Sequence, residues 1–239
     1  LTEPSMATWL DLVALGTVAD VVPLDQVNRV LVHQGLLRIR AGQCRPGIQA
    51  LLRIAGKNPH RLASADLGFA IGPRLNAAGR LDDISLGIQC LLTDDPQLAM
   101  QTAQELDQLN KDRRSIEQSM QREAMVEMDK LSFESDEVLP AVLCLFHPDW
   151  HQGVVGLLAS RLKEKYHRPV VAFARGDEGT LKGSSRSIPG LHIRDALDAV
   201  ATQNPGLVDK FGVHAMAAGL SLLESNLETL TEALQLPGP

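Results

Sequence analysis

The chain has 239 residues, of which 44% are apolar and only 3% aromatic, and a formal net charge of −6. That length supports a sizeable core and up to two domains. The acidic balance excludes a protein that coats nucleic acid through overall basicity, so any such contact must use local basic patches. Few aromatic rings are present on which bases could stack. Cys44, Cys90 and Cys144 lie far apart inside apolar stretches. Neither the close spacing of a zinc site nor the even count of a disulfide framework is present, and a reducing cytoplasm is expected. No run of roughly 18 apolar residues and no charged leader occurs, so neither a membrane span nor a signal peptide is indicated. The sequence opens on Leu1 and runs at once into a buried-looking segment, as expected of a piece of something longer.

In chain order, the apolar residues from Trp9 to Val22 predict a buried helix ended by Pro23. Asp25 offers an N-cap for the helix that follows, and Ile48 to Ile54 reads as a short helix closed by Gly56. Asp95 before Pro96 is a strong helix start. From Leu98 to Leu131 a helical stripe continues without glycine or proline, long enough to extend roughly 50 Å. Its polar middle, NKDRRS, suggests a rigid connector between two domains. After it the period changes. The runs 141–146 and 169–174 flank the helical segment GVVGLLASRLKEKY, which predicts a βαβ unit. A strand through LKGSSRS, a helix near 193–202, a strand near AAGLSL and a closing helix near 225–236 complete an α/β domain.

Three motifs carry candidate chemistry. KGSSRS at Lys182 to Ser187, FGVHAMAAG at Phe211 to Gly219 and GPRLNAAGR at Gly72 to Arg80 read as loops. Each combines small residues, which let a ligand approach the backbone, with fixed cationic or protonatable groups, a combination that suits phosphate. Lys182, Ser184, Ser185 and Arg186 offer hydroxyls and a guanidinium that can grip a phosphate bidentately. A polar strand edge is the plainer reading of that run. His214 is either a ligand contact or a core histidine, and Arg74, Asn76 and Arg80 either reach a ligand or attend a tight helix packing at Ala77, Ala78 and Gly79. His147, Asp149 and His151 tempt a metal reading, but Pro148 favours a turn that caps the next helix near Gln152. Asp82 and Asp83 read as solvated turn residues. Asp20, at the end of an apolar segment, has no structural reason to be a carboxylate unless it caps a backbone, pairs with a charge or binds a cation.

Taken in order, DLVALGTVADVVPLDQVNRVLV, GPRLNAAGRL, HPDWHQGVVGLLASRL, KGSSRS and KFGVHAMAAGLSL resemble the later motifs of the DHH phosphoesterase superfamily, most closely its single-strand-specific exonucleases. The resemblance extends over essentially the whole chain. It implies an α/β architecture in which residues 1–95 form the mostly helical end of a DHH catalytic domain, 96–131 a connector helix and 132–239 a DHH-associated substrate-binding domain with a mixed sheet. The activity implied is that of a metal-dependent exodeoxyribonuclease in DNA recombination and repair, trimming single strands from a free 5′ end. In such enzymes two divalent ions, Mn2+ or Mg2+, activate the attacking water. The resemblance places Asp20 among the metal ligands and in the catalytic centre. It places Ser184, Ser185, Arg186, His214 and His151 on the substrate's phosphates, with Arg74, Asn76 and Arg80 beside the same cleft. Partners implied are single-stranded DNA, with a single-strand-binding protein or helicase beside the intact enzyme, and no membrane.

Departures from the family pattern set further expectations. No D-x-D motif and no Asp-His-His triplet occurs, so of the expected metal cluster only Asp20 is present. This chain alone is therefore expected to bind little metal and to leave DNA uncut. The family's oligonucleotide-binding barrel is expected to be absent, and Val213 stands where the motif usually has a second glycine. Two alternatives share these motifs: a phosphodiesterase for short oligonucleotides or cyclic dinucleotides, and a non-catalytic nucleic-acid-binding module such as that appended to alanyl-tRNA synthetases.

Overall fold

The computed structural model describes residues 5–133, 140–211 and 216–235. The chain divides into two compact units, Leu1–Arg114 and Ser115–Pro239.

The first unit is helical. A 3₁₀ turn, Met6–Trp9, leads into α1 (Leu10–Ala19), followed by α2 (Gln26–Arg40) and α3 (Pro46–Ile54). A short α4 (Ser64–Asp66) passes through a π turn, Leu67–Ile71, into α5 (Gly72–Leu81), and α6 (Ser85–Leu92) precedes α7 (Pro96–Phe133). Asp25 caps α2 as expected, its carboxylate accepting the Asn28 N–H at 2.8 Å. Asp95 does the same for α7 through Gln97, also at 2.8 Å. The core joins Ala14, Val32, Ile39, Ile48, Leu51 and Leu67 to Ala99, Ala103 and Leu106 of α7. The first half of the expected connector is thus a core helix of this unit.

Two contacts fix the helices of this unit. At Gly35 a methyl group would lie 2.2 Å from the Leu10 carbonyl oxygen and 2.5 Å from the Ala14 Cβ, so only glycine allows α1 and α2 to cross so closely. Asp11, fully buried, accepts the Arg45 N–H at 2.7 Å. The Arg45 guanidinium donates in turn to the Leu91 and Leu92 carbonyls, which end α6 without helical partners, and pairs with Asp94 at 2.9 Å.

The end of α1 departs from expectation. The helix stops at Ala19, not at Pro23, and closes in a Schellman turn: the Val22 N–H donates to the Thr17 carbonyl at 3.0 Å and the Val21 N–H to that of Val18 at 3.2 Å. The left-handed position that glycine normally fills is held by Val21, at φ 55° and 85% exposed. A β-branched residue is strained there.

GPRLNAAGR is helix α5 throughout, not a loop, with Pro73 in its first turn where the missing N–H costs nothing. It is held to α7 by Arg74, whose Nε and Nη2 both meet the Asp107 carboxylate at 2.8 Å, while Lys111 approaches the same carboxylate at 2.9 Å.

The second unit carries a five-stranded mixed sheet in the order β1-β2-β3-β5-β4. Its strands are β1 (Leu143–Phe146), β2 (Val170–Arg175), β3 (Thr180–Arg186), β4 (Lys210–Phe211) and β5 (Ala217–Leu223). The β1-α8-β2 crossover makes the one parallel pair among these, through α8 (Val155–Tyr166), and the other pairs are antiparallel. β4, only two residues long, is too short to leave a periodic signal in the sequence. On one face α9 (Ile193–Gln203) and α10 (Leu227–Gln235) bury Val171, Phe173, Leu181 and Leu220. Phe173 stands opposite Gly183, where a methyl group would lie 2.5 Å from its ring. On the other face α8 packs over β2 and β3.

The second half of α7 belongs to this unit. Its Glu123 accepts the Trp150 indole N–H at 2.9 Å, and its Glu117 meets Arg161 of α8 at 3.3 Å. At the sheet's β1 edge the Gln235 side-chain amide pairs with Val142 as a strand would, donating to its carbonyl at 2.7 Å and accepting its N–H at 3.3 Å. The three thiols are free, and burial pushes that of Cys144 up to about 11. Among the described residues no helix is long and apolar enough to cross a membrane.

Replacing Val21 by glycine should relieve the strained turn and raise stability by roughly 0.5–1 kcal/mol, seen as a higher thermal midpoint. Burial pushes the Asp107 carboxyl up, but the hydrogen bond from Lys111 and the charge and hydrogen bond of Arg74 outweigh it and hold the group below its ordinary value. The stability it lends is complete above a pH of about 4 and is lost as pH falls through the lowered folded value. Asp107→Asn should therefore be less stable than the parent at about pH 7, and chemical denaturation should show the gap closing as pH falls below the lowered folded value.

Candidate phosphate-binding site

Alternation along β3 sorts the residues of KGSSRS between two faces of the sheet. The run is a strand interior, as the strand expected through LKGSSRS has it and the loop reading does not, so its backbone amides pair within the sheet and only its side chains are placed to meet a ligand. Lys182, Ser184 and Arg186 share the α8 face, whereas Gly183 and Ser185 point to the α9 and α10 face. Ser185, expected among the phosphate ligands, is fully buried. Its Oγ donates to the Ala218 carbonyl at 2.9 Å and accepts the Ala218 N–H at 3.1 Å, so its hydroxyl fastens β3 to β5. Lys182 is exposed and lies four residues, about 13 Å, along the strand from Arg186.

Ser184 and Arg186 sit where cover by α8 runs out. Their neighbours on β2, Ala172 and Val170, are fully buried, and those on β5 are Gly219, exposed, and Ala217, half-buried. Opposed residues of paired strands share a face, so the small residues of the AMAAG motif leave this side of the pair open. The Arg186 guanidinium is held in place. Nη1 donates to Ser184 Oγ at 2.9 Å and to the Ser185 carbonyl at 2.7 Å, and Nε donates to Ser160 Oγ at 3.2 Å. These three acceptors are neutral oxygens, and together they orient the guanidinium. Nη2 lies over the first turn of α8, where a methyl group on Gly156 would stand 2.9 Å from it and 3.0 Å from Ser184 Oγ.

His151 belongs to the same end of α8. Its carbonyl accepts the Val154 and Val155 N–H groups at 2.9 and 3.2 Å, and its Nδ1 accepts the Gly153 N–H at 3.1 Å, which leaves the neutral ring's proton on Nε2 as a donor. His147 Nδ1 accepts the Asp149 N–H at 3.3 Å, and its ring stacks on Trp150. A turn does lead into the next helix, but α8 starts at Val155, three residues beyond Gln152, and no side chain caps it; the His151 carbonyl takes that part. His214 and Val213 lie outside the described residues.

In the first unit, Asp20 and Asn76 line one cavity of about 360 Å³, floored by Leu12, Leu15 and Leu75. Asp20 is exposed, and among the described residues its carboxylate makes no hydrogen bond or ion pair. The structural reasons for a carboxylate that the sequence left open are therefore not met by a charge partner or a side-chain cap. Arg74 is engaged by Asp107, and Arg80 is half-buried in the last turn of α5. Asp83 caps α6 through the Ser85 N–H at 2.9 Å, as a turn residue does. No three His, Cys, Asp or Glu side chains converge as a cation site among the described residues. Asp20 fits one oxygen ligand of a divalent centre, and the described residues do not supply the rest.

Two contributors are hard to read from the sequence. Gly156 and Ser160 stand four apart on one helix face, a spacing that is visible in ASRL and its surroundings, but their meaning depends on which strand lies beneath.

The chain has relatives among known proteins. Residues 138–236 match the family described as DHHA1 domain. The chain is 61% identical over 228 residues to the single-stranded-DNA-specific exonuclease RecJ of Salmonella typhimurium, covering 95% of this chain and 39% of that protein. The crystal structure of RecJ from Thermus thermophilus in complex with Mg2+ is 32% identical, with a TM-score of 0.82, covering 99% of this chain and 36% of that one. The corresponding Mn2+ complex gives the same identity and TM-score, covering 99% and 34%. The α/β architecture expected from the sequence, with a helical part and a mixed sheet, is the one found. Residues 138–236 thus match the DHHA1 domain, and the chain as a whole is similar to RecJ, spanning 39% of the length of the Salmonella protein.

Proposed function

We propose that this chain is the substrate-holding part, with one metal-ligating carboxylate, of a single-stranded-DNA-specific exonuclease that removes nucleotides from a free 5′ end. The observation that carries this reading is the oriented Arg186 guanidinium beside Ser184, on the face of the central strand β3 that Ala217 and Gly219 leave open. A planar fork of charged N–H donors suits the oxygens of a phosphate, and small neighbours admit the sugar and backbone that follow it. His151, with its proton on Nε2, adds a donor at the same end of α8.

In this reading Asp20 supplies one carboxylate to a centre holding Mn2+ or Mg2+, the ions bound in the Thermus structures. Such ions polarise the phosphodiester and activate the attacking water. The chain's own part is to bind and orient: Arg186 and Ser184 hold phosphate oxygens, Asn76 lies in the cavity that Asp20 lines, and Arg74 with Asp107 fixes the helix carrying Asn76. Single-stranded DNA is the partner this arrangement suits, and the intact enzyme acts in DNA recombination and repair, where a single-strand-binding protein or a helicase would present the strand.

Affinity for a single-stranded DNA oligonucleotide, with a 5′ phosphate or a 5′ hydroxyl and across a salt titration, tests the reading. The phosphorylated end should bind more tightly, with the shallow salt slope of few phosphate contacts. Arg186→Ala should weaken binding of the phosphorylated end by about tenfold or more, since a hydrogen bond to a charged group contributes roughly 1.5–3 kcal/mol. Equal affinity for both ends, unchanged in the variant, would overturn it.

A further inference from the structure

We propose that Ser160 is the positioning residue for Arg186, and that Gly156 one turn earlier keeps the space in which the guanidinium meets a terminal phosphoryl group. The proposal deepens the functional reading above and rests on it. It assigns a role to α8, which supplies no charge of its own to the site.

The direction of the hydrogen bonds makes the case. Ser160 Oγ lies 3.1 Å from the Gly156 carbonyl, which can only accept, so the hydroxyl proton points along the helix. Its lone pairs then face the Arg186 Nε–H at 3.2 Å. Serine thus joins the helix backbone to the guanidinium in one orientation. On the far side of the fork Nη1 is tied to Ser184 Oγ and the Ser185 carbonyl. With Nε and Nη1 both anchored, the plane of the fork is fixed, and a rigid fork presents its charge with less ordering cost when a phosphate arrives.

Gly156 sets the clearance. A Cβ there would stand 2.9 Å from Arg186 Nη2 and 3.0 Å from Ser184 Oγ, so both groups would have to shift. The guanidinium, anchored at Nε and Nη1, would move off its alignment with Ser184. Residues 156 and 160 therefore act as one device: the glycine admits the guanidinium and the serine holds it.

The test compares the parent chain with Ser160→Ala, Ser160→Thr and Gly156→Ala. Two quantities are read: the ratio of affinities for 5′-phosphorylated and 5′-hydroxyl single-stranded oligonucleotides, and solvent exchange of the Arg186 Nε–H by nuclear magnetic resonance. In Ser160→Ala the exchange should quicken and the ratio should fall about five- to tenfold, with the affinity for the hydroxyl end unchanged. Threonine keeps the hydroxyl and should restore both. Gly156→Ala should lower the ratio as well, with a thermal midpoint that shows the chain still folded. A ratio preserved in Ser160→Ala overturns this proposal alone. A parent chain that does not distinguish the two ends removes the functional reading, and this proposal with it, whatever the exchange of Nε–H shows.

Discussion

Along β3 a step of one residue changes what a side chain can do. Leu181, Gly183 and Ser185 go to a dry core, whereas Lys182, Ser184 and Arg186 go to the face that α8 covers in part. The candidate site depends on that alternation and on where the cover stops. Had α8 lain one strand further across, Arg186 would be a buried cation needing a carboxylate. Had it lain one strand short, the guanidinium would lose Ser160 and sample many rotamers in water. Sitting at the margin, it is both ordered and charged.

The two arginines the sequence nominates illustrate the difference. Arg74 and Arg186 both occur among glycines, alanines and serines, and by that context both read as phosphate ligands. Arg74 meets a buried carboxylate, so its charge is used within the fold to hold α5 against α7. Arg186 is ordered by the uncharged oxygens of Ser160, Ser184 and Ser185. A buried ion pair contributes little attraction to a ligand, whereas preorganised dipoles hold a cation in a fixed orientation.

Much of the fold is legible because its signals are local. The caps at Asp25 and Asp95, the change of period after α7 and the βαβ pattern around α8 are each written in neighbouring residues. The misreadings have physical causes. Gly183, Ser184 and Ser185 read both as a strand and as a loop, and the strand is found; the loop-like composition arises because one face carries small polar residues and the other accommodates Phe173 opposite a glycine. GPRLNAAGR looks like a loop because helix breakers appear in it, yet Pro73 falls in the first turn and Gly79 packs beside Ile84. The roles of Ser160, Gly156 and Ser185 are not legible at all, since each depends on a partner from another element. Asp20 stands out in the sequence as a carboxylate without a local reason. The strained Val21 beside it is hidden, because its sequence context is an ordinary apolar run.

The pairing of Gln235 with Val142 has a consequence for how the second unit comes into being. It closes a loop of 93 residues and covers the start of the sheet's first strand, at Val142, with the last turn of α10. Contacts so distant in sequence form late, because the chain between them must already be ordered. During synthesis β1 therefore emerges with its outer edge bare and stays so until α10 has left the ribosome. The exposure is limited by the strand's length of four residues, too short to template a foreign strand well. A brief edge and a single glutamine thus divide between them the task of keeping this sheet to itself.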